Sequence, residues 1–496
     1  MRSITVRTVA ALVVLCARTA YAADSLPDVA QRGDSSAALA LVDGNADVNA
    51  RQDDGTTALH WATYHDDLAL IRRLLKAGAK ANVANDYGST PLAEAAERAD
   101  PQALRALLEA GADVESPNAQ GQTALMTVAR TDIVEAAKVL VAHGAKVNAS
   151  EKWRGQTALM WASAQGRAAM VQFLIAHGAE VNARETVRQW PRRVSAEPRP
   201  QNRPLGGLTA LLFAAREGCA ACATALVKGH ADIELADPEG ITPLIMAILN
   251  AQFDTAAVLI KAGANVNTWD IWGRAPLYSA VDYNTTPRGG RPDRPSSDKT
   301  TALEVIDMLL KAGANPDMQL KLFPPYRSLG QDRGGDGMLT VGTTPLIRAA
   351  KAGDSASIQL LLAHGARPDL PNSLGITPLM AAAGIGSTTI DIRARFRNER
   401  KCIASAKLLL AKGVEVNAVN NNGQTALFGA AQSGWNDFVQ LLADHGALLA
   451  AKDRFGSTPL DFAAGKVGTS GRPGVGGAGE VHKDTVALLT KLATRS

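Results

Sequence analysis

The sequence predicts an all-α repeat solenoid, curved and elongated, made of helix-turn-helix units with β-hairpin-like finger loops. Three recurrences carry this reading. A G-x-T-P/A-L stretch begins at Gly55, Gly88, Gly121, Gly155, Gly207, Gly240, Gly273 (with Ala275 in the threonine place), Gly342, Gly375, Gly423 and Gly456, and six of its ten intervals are 33 residues. An L-L-x-x-G-A stretch normally places its glycine 23 residues after that anchor, and G-A-x-V-N, as in "GAKVNA" and "GANVNT", follows it. Self-similarity at a fixed short period means stacked units, each too small to bury its apolar face alone.

The elements of a unit follow from its residue types. Threonine at the third anchor position can cap the helix that follows, and proline beside it suits the first helical turn, where no backbone donor is needed. The alanines and leucines beyond recur at helical spacing and form one apolar face. The "LLKAG" stretch ends a second helix, with glycine in the left-handed C-cap. Asn45 and His230 stand where two units lack that glycine, and both tolerate positive φ better than most residues. An extended hairpin loop then leads to the next unit.

This period of 33, with T-P-L and G-A-x-V-N, resembles the ankyrin repeat over nearly the whole chain beyond its first two dozen residues. The resemblance implies stacked helix pairs and use as a binding scaffold for another protein. It also implies a histidine after T-P-L that ties adjacent loops. Only His60 keeps it; Met126, Met160, Leu212, Ile245, Ile347, Met380 and Phe428 hold that place elsewhere, which predicts apolar packing between repeats in its stead.

The first residues, "MRSITVRTVAALVVLCARTAYAADSLPD", read differently. Arg2 and Arg7 precede an apolar run from Thr8 to Ala17, and Ala20-Tyr21-Ala22 is an A-x-A cleavage site. The run is about half of the ~20 residues a membrane span needs. Residues 1–22 are therefore expected to be a signal peptide, the mature chain to begin at Ala23, and the protein to be exported, periplasmic or secreted, with no membrane span after cleavage. Loss of Arg2, Arg7 and Arg18 takes the 52 basic residues to 49 against 48 acidic ones, a net charge of +1. The basic isoelectric point is then no argument for nucleic acid. Residues 24–54 read as a partial capping repeat and 55–496 as eleven repeats, closed by a helix with polar positions.

The period breaks at two structural places. Finger loops lengthen near 184–206 and 315–341, and the turns between paired helices lengthen near 282–300, 384–401 and 465–482. The long turns fall in repeats seven, nine and eleven, counting from Gly55, so each has about twice the usual ~10 Å helix spacing; that part of the pattern is explicable as packing. "RETVRQWPRRVSAEPRPQNRPLGG" is the enlarged finger of repeat four. Its six arginines against Glu185 and Glu197 make it +4. Its counterpart in repeat seven holds Phe323-Pro324-Pro325-Tyr326-Arg327, again aromatic, proline and basic, and "TIDIRARFRNERK" in the turn of repeat nine is a third basic stretch. Two readings stay open. These are solvated loops whose aromatics fold back on the scaffold, or they are a contact surface for an acidic or aromatic-binding partner. On the second, Arg188, Trp190, Arg192, Arg193, Phe323, Tyr326 and Arg327 are the candidate contacts, because Arg and Trp are frequent interface anchors and loops on rigid scaffolds carry recognition.

Cys219-Ala220-Ala221-Cys222 has the spacing of a thiol redox motif. It opens the second helix of repeat five, and Cys222 takes a place filled by Val, Ile or Ala in other repeats, which favours a small buried structural pair; a disulfide and redox chemistry are the alternatives. His143, His177, His364 and His445 each precede the capping glycine, a register position near the negative end of a helix. H-E-x-x-H, G-x-S-x-G, phosphate-loop and paired-cysteine zinc spacings are absent. The expected function is that of a non-catalytic scaffold of the cell envelope or exterior, without metal or cofactor, holding another protein on its concave face and inserted loops. The alternatives are binding of an anionic envelope polymer through the basic loops, and a thiol redox protein using Cys219 and Cys222.

Overall fold

The computed structural model describes residues 25–494 apart from 119, 189–204, 272, 286–297, 322–339, 386–397 and 468–479. The expected signal segment lies outside them. The described residues contain 24 helices, 5 to 12 residues long, and no sheet. They fall into two compact bodies, one ending at Glu185 and one beginning at Thr186. Within each body the helices come as antiparallel pairs. First helices of successive repeats pack on one another, and second helices do the same.

The local chemistry acts as the residue types imply. Thr90, Thr123, Thr157, Thr209, Thr242, Thr344 and Thr377 each accept a hydrogen bond from the backbone N–H three residues on, inside the first helix they precede. Each such cap contributes about 1 kcal/mol. At the other end of the pair Gly78, Gly111, Gly144 and their counterparts have φ of 75–91°, and the two substitutes follow them, Asn45 at 62° and His230 at 64°. His143, His177 and His445 each donate from Nδ1 to the carbonyl four residues back at 2.8 Å, which satisfies a helix-end acceptor and makes the position structural.

The histidine motif of repeat one is complete. His60 Nε2 donates to the Ser89 carbonyl of the next repeat at 3.1 Å, while Nδ1 accepts from Thr57. A carbonyl only accepts, so the proton sits on Nε2. The seven apolar replacements, Met126 through Phe428, are all buried, as expected of packing in place of a bond. Burial pushes the His60 imidazole below its ordinary value, against the opposing pull of its Ser89 bond and of Glu94. The unfolded chain therefore binds a proton that the folded chain resists, and this contribution to stability is lost as pH falls below about 6.5. Between pH 7 and 5 the urea midpoint of the parent protein should fall more than that of His60→Gln, and equal falls would show that His60 is not the titrating group.

A second tie between repeats comes from the asparagine of G-A-x-V-N. Asn49 donates to the Gly78 carbonyl and accepts from Lys80 N at 2.8 Å; Asn82 does the same with Gly111 and Asp113, and Asn148 with Gly178 and Glu180. In the second body Asn267 clamps Gly313 and Asn315, and Asn417 clamps Gly446 and Leu448. Where the position is Glu115, Glu234 or Asp317, the carboxylate accepts the N–H of Lys146, Asn265 or Arg367. The conformation imposed by the capping glycine thus presents its carbonyl and the N–H two residues on to one side-chain amide of the preceding repeat.

The returning ends of the lengthened turns are pinned to neighbouring helices. Asp298 accepts from the N–H groups of Phe253 and Asp254 and so caps a helix, Phe253–Lys261, whose own N-cap Gln252 makes no side-chain cap. In return Asp254 accepts from Lys299 N and from the backbone and hydroxyl of Thr300; these bonds, the Thr300 hydroxyl first, hold its carboxyl below the usual range. Glu399 caps Phe438 N in the same way, and His482 Nε2 donates to the Gln432 carbonyl.

Candidate functional site

The hairpin loops begin with an Asx turn. Asn85, Asn118, Asp237, Asn372, Asn420 and Asp453 each accept, through one side-chain oxygen, the N–H groups two and four residues on. Adjacent turns are joined by single backbone bonds, Asp86 N to Asp54 O at 2.8 Å in the first body, and Ile271 N to Glu239 O, Ser373 N to Val341 O and Arg454 N to Asn422 O in the second. Backbone polar groups are thereby satisfied, and the turn tips are left in a row within each body.

Those tips carry large apolar side chains in the open. Tyr87 is 69% exposed and Trp153 67% in the first body; Ile271, Leu374 and Phe455 are exposed in the second. Each is one or two residues before an anchor glycine. Their signal in the sequence was an apolar residue inside an otherwise polar turn, which reasoning about the inserted loops passed over. At the first helices of the first body and the turns beside them, Arg98 lies over the Tyr64 ring at 5.1 Å and Arg130 over Trp161 at 5.5 Å, and Trp61 Nε1 donates to Gln52. These are amphipathic surfaces with one apolar face and fixed donors.

The base of the first long finger is described. Arg188 and Leu205 form an antiparallel bridge, with Arg188 N donating to Leu205 O at 2.8 Å and Leu205 N to Arg188 O at 3.0 Å. Glu185, counted among the finger's acids, is buried and accepts from Gln156 Nε2 at 2.8 Å, so it anchors the base instead of offsetting charge at the tip. Of the candidate contacts, Arg188 is half-buried in this bridge. Trp190, Arg192, Arg193, Phe323, Tyr326 and Arg327 lie outside the described residues. The second long finger also starts from a closed base. Leu320 N donates to Thr343 O, Gly342 N donates to Leu320 O, and Lys321 Nζ sits 3.3 Å from the Trp269 ring centroid. An open groove of about 600 Å³ lies beside it, lined by Trp269, Met318, Gln319 and Val341 among others.

The cysteine pair departs from the favoured expectation. Cys219 and Cys222 are joined in a disulfide, and only Cys222 is fully buried. Cys219 is the N-cap of the helix and stays half-buried, because that position lies outside the helix proper at the inter-helix turn. Among the described residues no group of three or more metal-ligating side chains comes together, and no helix is long and apolar enough to cross a membrane.

Comparison with known proteins agrees with the repeat geometry. A family model described as ankyrin repeats in three copies matches residues 26–118, 100–185, 193–270, 211–320 and 397–471, and a single ankyrin-repeat model matches 341–373. The human ankyrin repeat and SOCS box protein 16 is 29% identical over 257 residues, 51% of this chain and 46% of that protein. The human transient receptor potential cation channel subfamily A member 1 is 26% identical over 212 residues, 42% of this chain and 15% of the channel. The chain thus spans less than half the length of either relative. The solved ankyrin repeat domain of human ASB11 is 21% identical, with a TM-score of 0.40 over 48% of this chain and 96% of that one. With family matches over most of its length and the capped helix pairs that those repeats require, the chain belongs to the ankyrin-repeat family.

Proposed function

We propose that this protein is a binding scaffold of the cell envelope or exterior that holds another protein on the hairpin tips of its repeats. The observation that carries the proposal is the exposure of large apolar side chains at hydrogen-bonded turn tips, Tyr87 and Trp153 in the first body and Ile271, Leu374 and Phe455 in the second. Aromatic side chains on a rigid frame supply contact area at low entropic cost. Relatives with ankyrin repeats support a protein partner as the general class. Location in the envelope is supported by the A-x-A site after an apolar run and by the Cys219–Cys222 bond, which suits an oxidising compartment. The finger from Arg184 to Gly207 adds six arginines and Trp190 to the candidate contacts, four prolines limit the entropy it loses on binding, and the finger with Phe323, Tyr326 and Arg327 would add a second arm.

The test is a pull-down from envelope extract with the mature protein, run beside a version whose 184–207 loop is cut to an ordinary ten-residue connection. The shortened version should melt normally and lose the partner, and Trp190→Ala should lose part of the binding. Full binding by the shortened version would overturn the role of the finger, and equal binding by a Tyr87→Ser, Phe455→Ser variant would overturn that of the hairpin tips. Binding abolished by moderate salt, with a polyanion as the captured species, would favour the anionic-polymer reading.

A further inference from the structure

The turn before the second helix is a repeated place for an anion. Asp34, Asp67, Asp100 and Asp354 occupy it in the partial repeat and in repeats one, two and eight, and each accepts the backbone N–H three residues on. In repeat five the residue is Cys219. Its Sγ stands in for the carboxylate oxygen and accepts the Cys222 N–H at 3.1 Å. A thiolate at Cys219 would meet the same donor and the same positive helix end of Ala220–Lys228, both of which lower a thiol's proton affinity. The two residues differ in access. Cys219 is half-buried at the turn, and Cys222, in the first turn of the helix, is completely buried. Cys219 is therefore the more accessible of the two residues to an incoming thiolate.

From this arrangement we infer that Cys219 and Cys222 form a thiol–disulfide exchange site, an activity separate from the binding role of the scaffold. Its co-reactant is a dithiol, small or protein-borne. A thiolate of that dithiol attacks Cys219 Sγ and forms a mixed disulfide. The Cys219–Cys222 bond breaks, and its electron pair leaves on Cys222, which takes up a proton. The second thiolate of the dithiol attacks the first sulfur of the same dithiol and expels Cys219 as a thiolate, held by the Cys222 N–H. Two electrons pass to the pair, and the dithiol becomes a disulfide; the reverse sequence reduces an external disulfide, with Cys219 as the nucleophile.

The experiment uses the full mature chain under native conditions. Dithiothreitol at low excess should reduce the pair without unfolding the protein, and oxidised glutathione should restore it. In the reduced protein at pH 7, iodoacetamide should label Cys219 at least tenfold faster than it labels Cys222, and faster than free cysteine. A Cys222→Ser variant should accumulate a mixed disulfide with glutathione at Cys219, with an unchanged circular dichroism spectrum. If that variant folds poorly, the reduction and labelling of the parent decide alone. A pair that resists dithiothreitol until the protein unfolds, or labelling of Cys219 no faster than that of free cysteine, would overturn the inference and leave an inert structural bond.

Discussion

Asp282→Ala should destabilise the second body by about 3 kcal/mol, the lower end of the cost of stripping a partner from a buried charge. Asp282 Oδ1 lies 2.6 Å from Arg348 Nε; the guanidinium side chain is 2% exposed and the carboxylate 32%. Arg348 belongs to the first helix of repeat eight, Pro345–Ala352, and its register neighbours on the helices packed to either side are Ser279 and Ala381. Such small side chains permit the close helix approach that buries it. The reverse change should be mild, because Asp282 keeps contact with water. Arg348→Met fills a similar volume without charge and should cost no more than about 1.5 kcal/mol. The double variant should then recover most of what Asp282→Ala loses, and urea unfolding of the four proteins gives the coupling directly. Equal midpoints for Asp282→Ala and the parent would show that Arg348 does not depend on this carboxylate.

Gly429→Ala should also destabilise, against the trend of helix propensity. Gly429 lies inside the helix Ala426–Gln432, where alanine is ordinarily favoured by about 1 kcal/mol. A methyl group there would stand 2.7 Å from Ile385 N and 2.8 Å from Ala383 O, at the end of the first helix of repeat nine. Both are backbone atoms, so no side chain can swing aside, and overpacking of this kind costs about 1–3 kcal/mol. The net change expected is a loss of about 1 kcal/mol in urea unfolding. A gain equal to the propensity difference would mean that the helices do not approach this closely.

Much of the scaffold was legible in the chain because its determinants are local. A threonine cap, a proline in the first turn and a glycine at positive φ act within a few residues, and their recurrence along the chain makes each one visible. The assignment of Asn45 and His230 to left-handed caps, and of Met126 through Phe428 to packing in place of a histidine bond, needed only the register and the residue types. Less of the candidate site could be read. The inserted loops drew attention by their charge and prolines, whereas Tyr87, Trp153 and Phe455 sit in loops of ordinary length, where only exposure distinguishes them.

Period and residue type by themselves determined the helix pairs, their caps and the family. Tertiary structure decided the rest, since each remaining feature joins residues that belong to different repeats or depends on how deeply a side chain is covered. The Asn49 and Asn82 clamps reach about thirty residues ahead to a carbonyl and an N–H that only a stacked neighbour presents. Asp298 caps a helix more than forty residues before it. Arg348 reads as a surface cation until helices from two other repeats close on it. The cysteine pair is the exception that shows the rule from the other side. Its spacing, its bond and the N-cap place of Cys219 are local, and only the complete burial of Cys222 depends on the neighbouring helices. Propensity and capping act through the chain; burial acts through space, and no period records it.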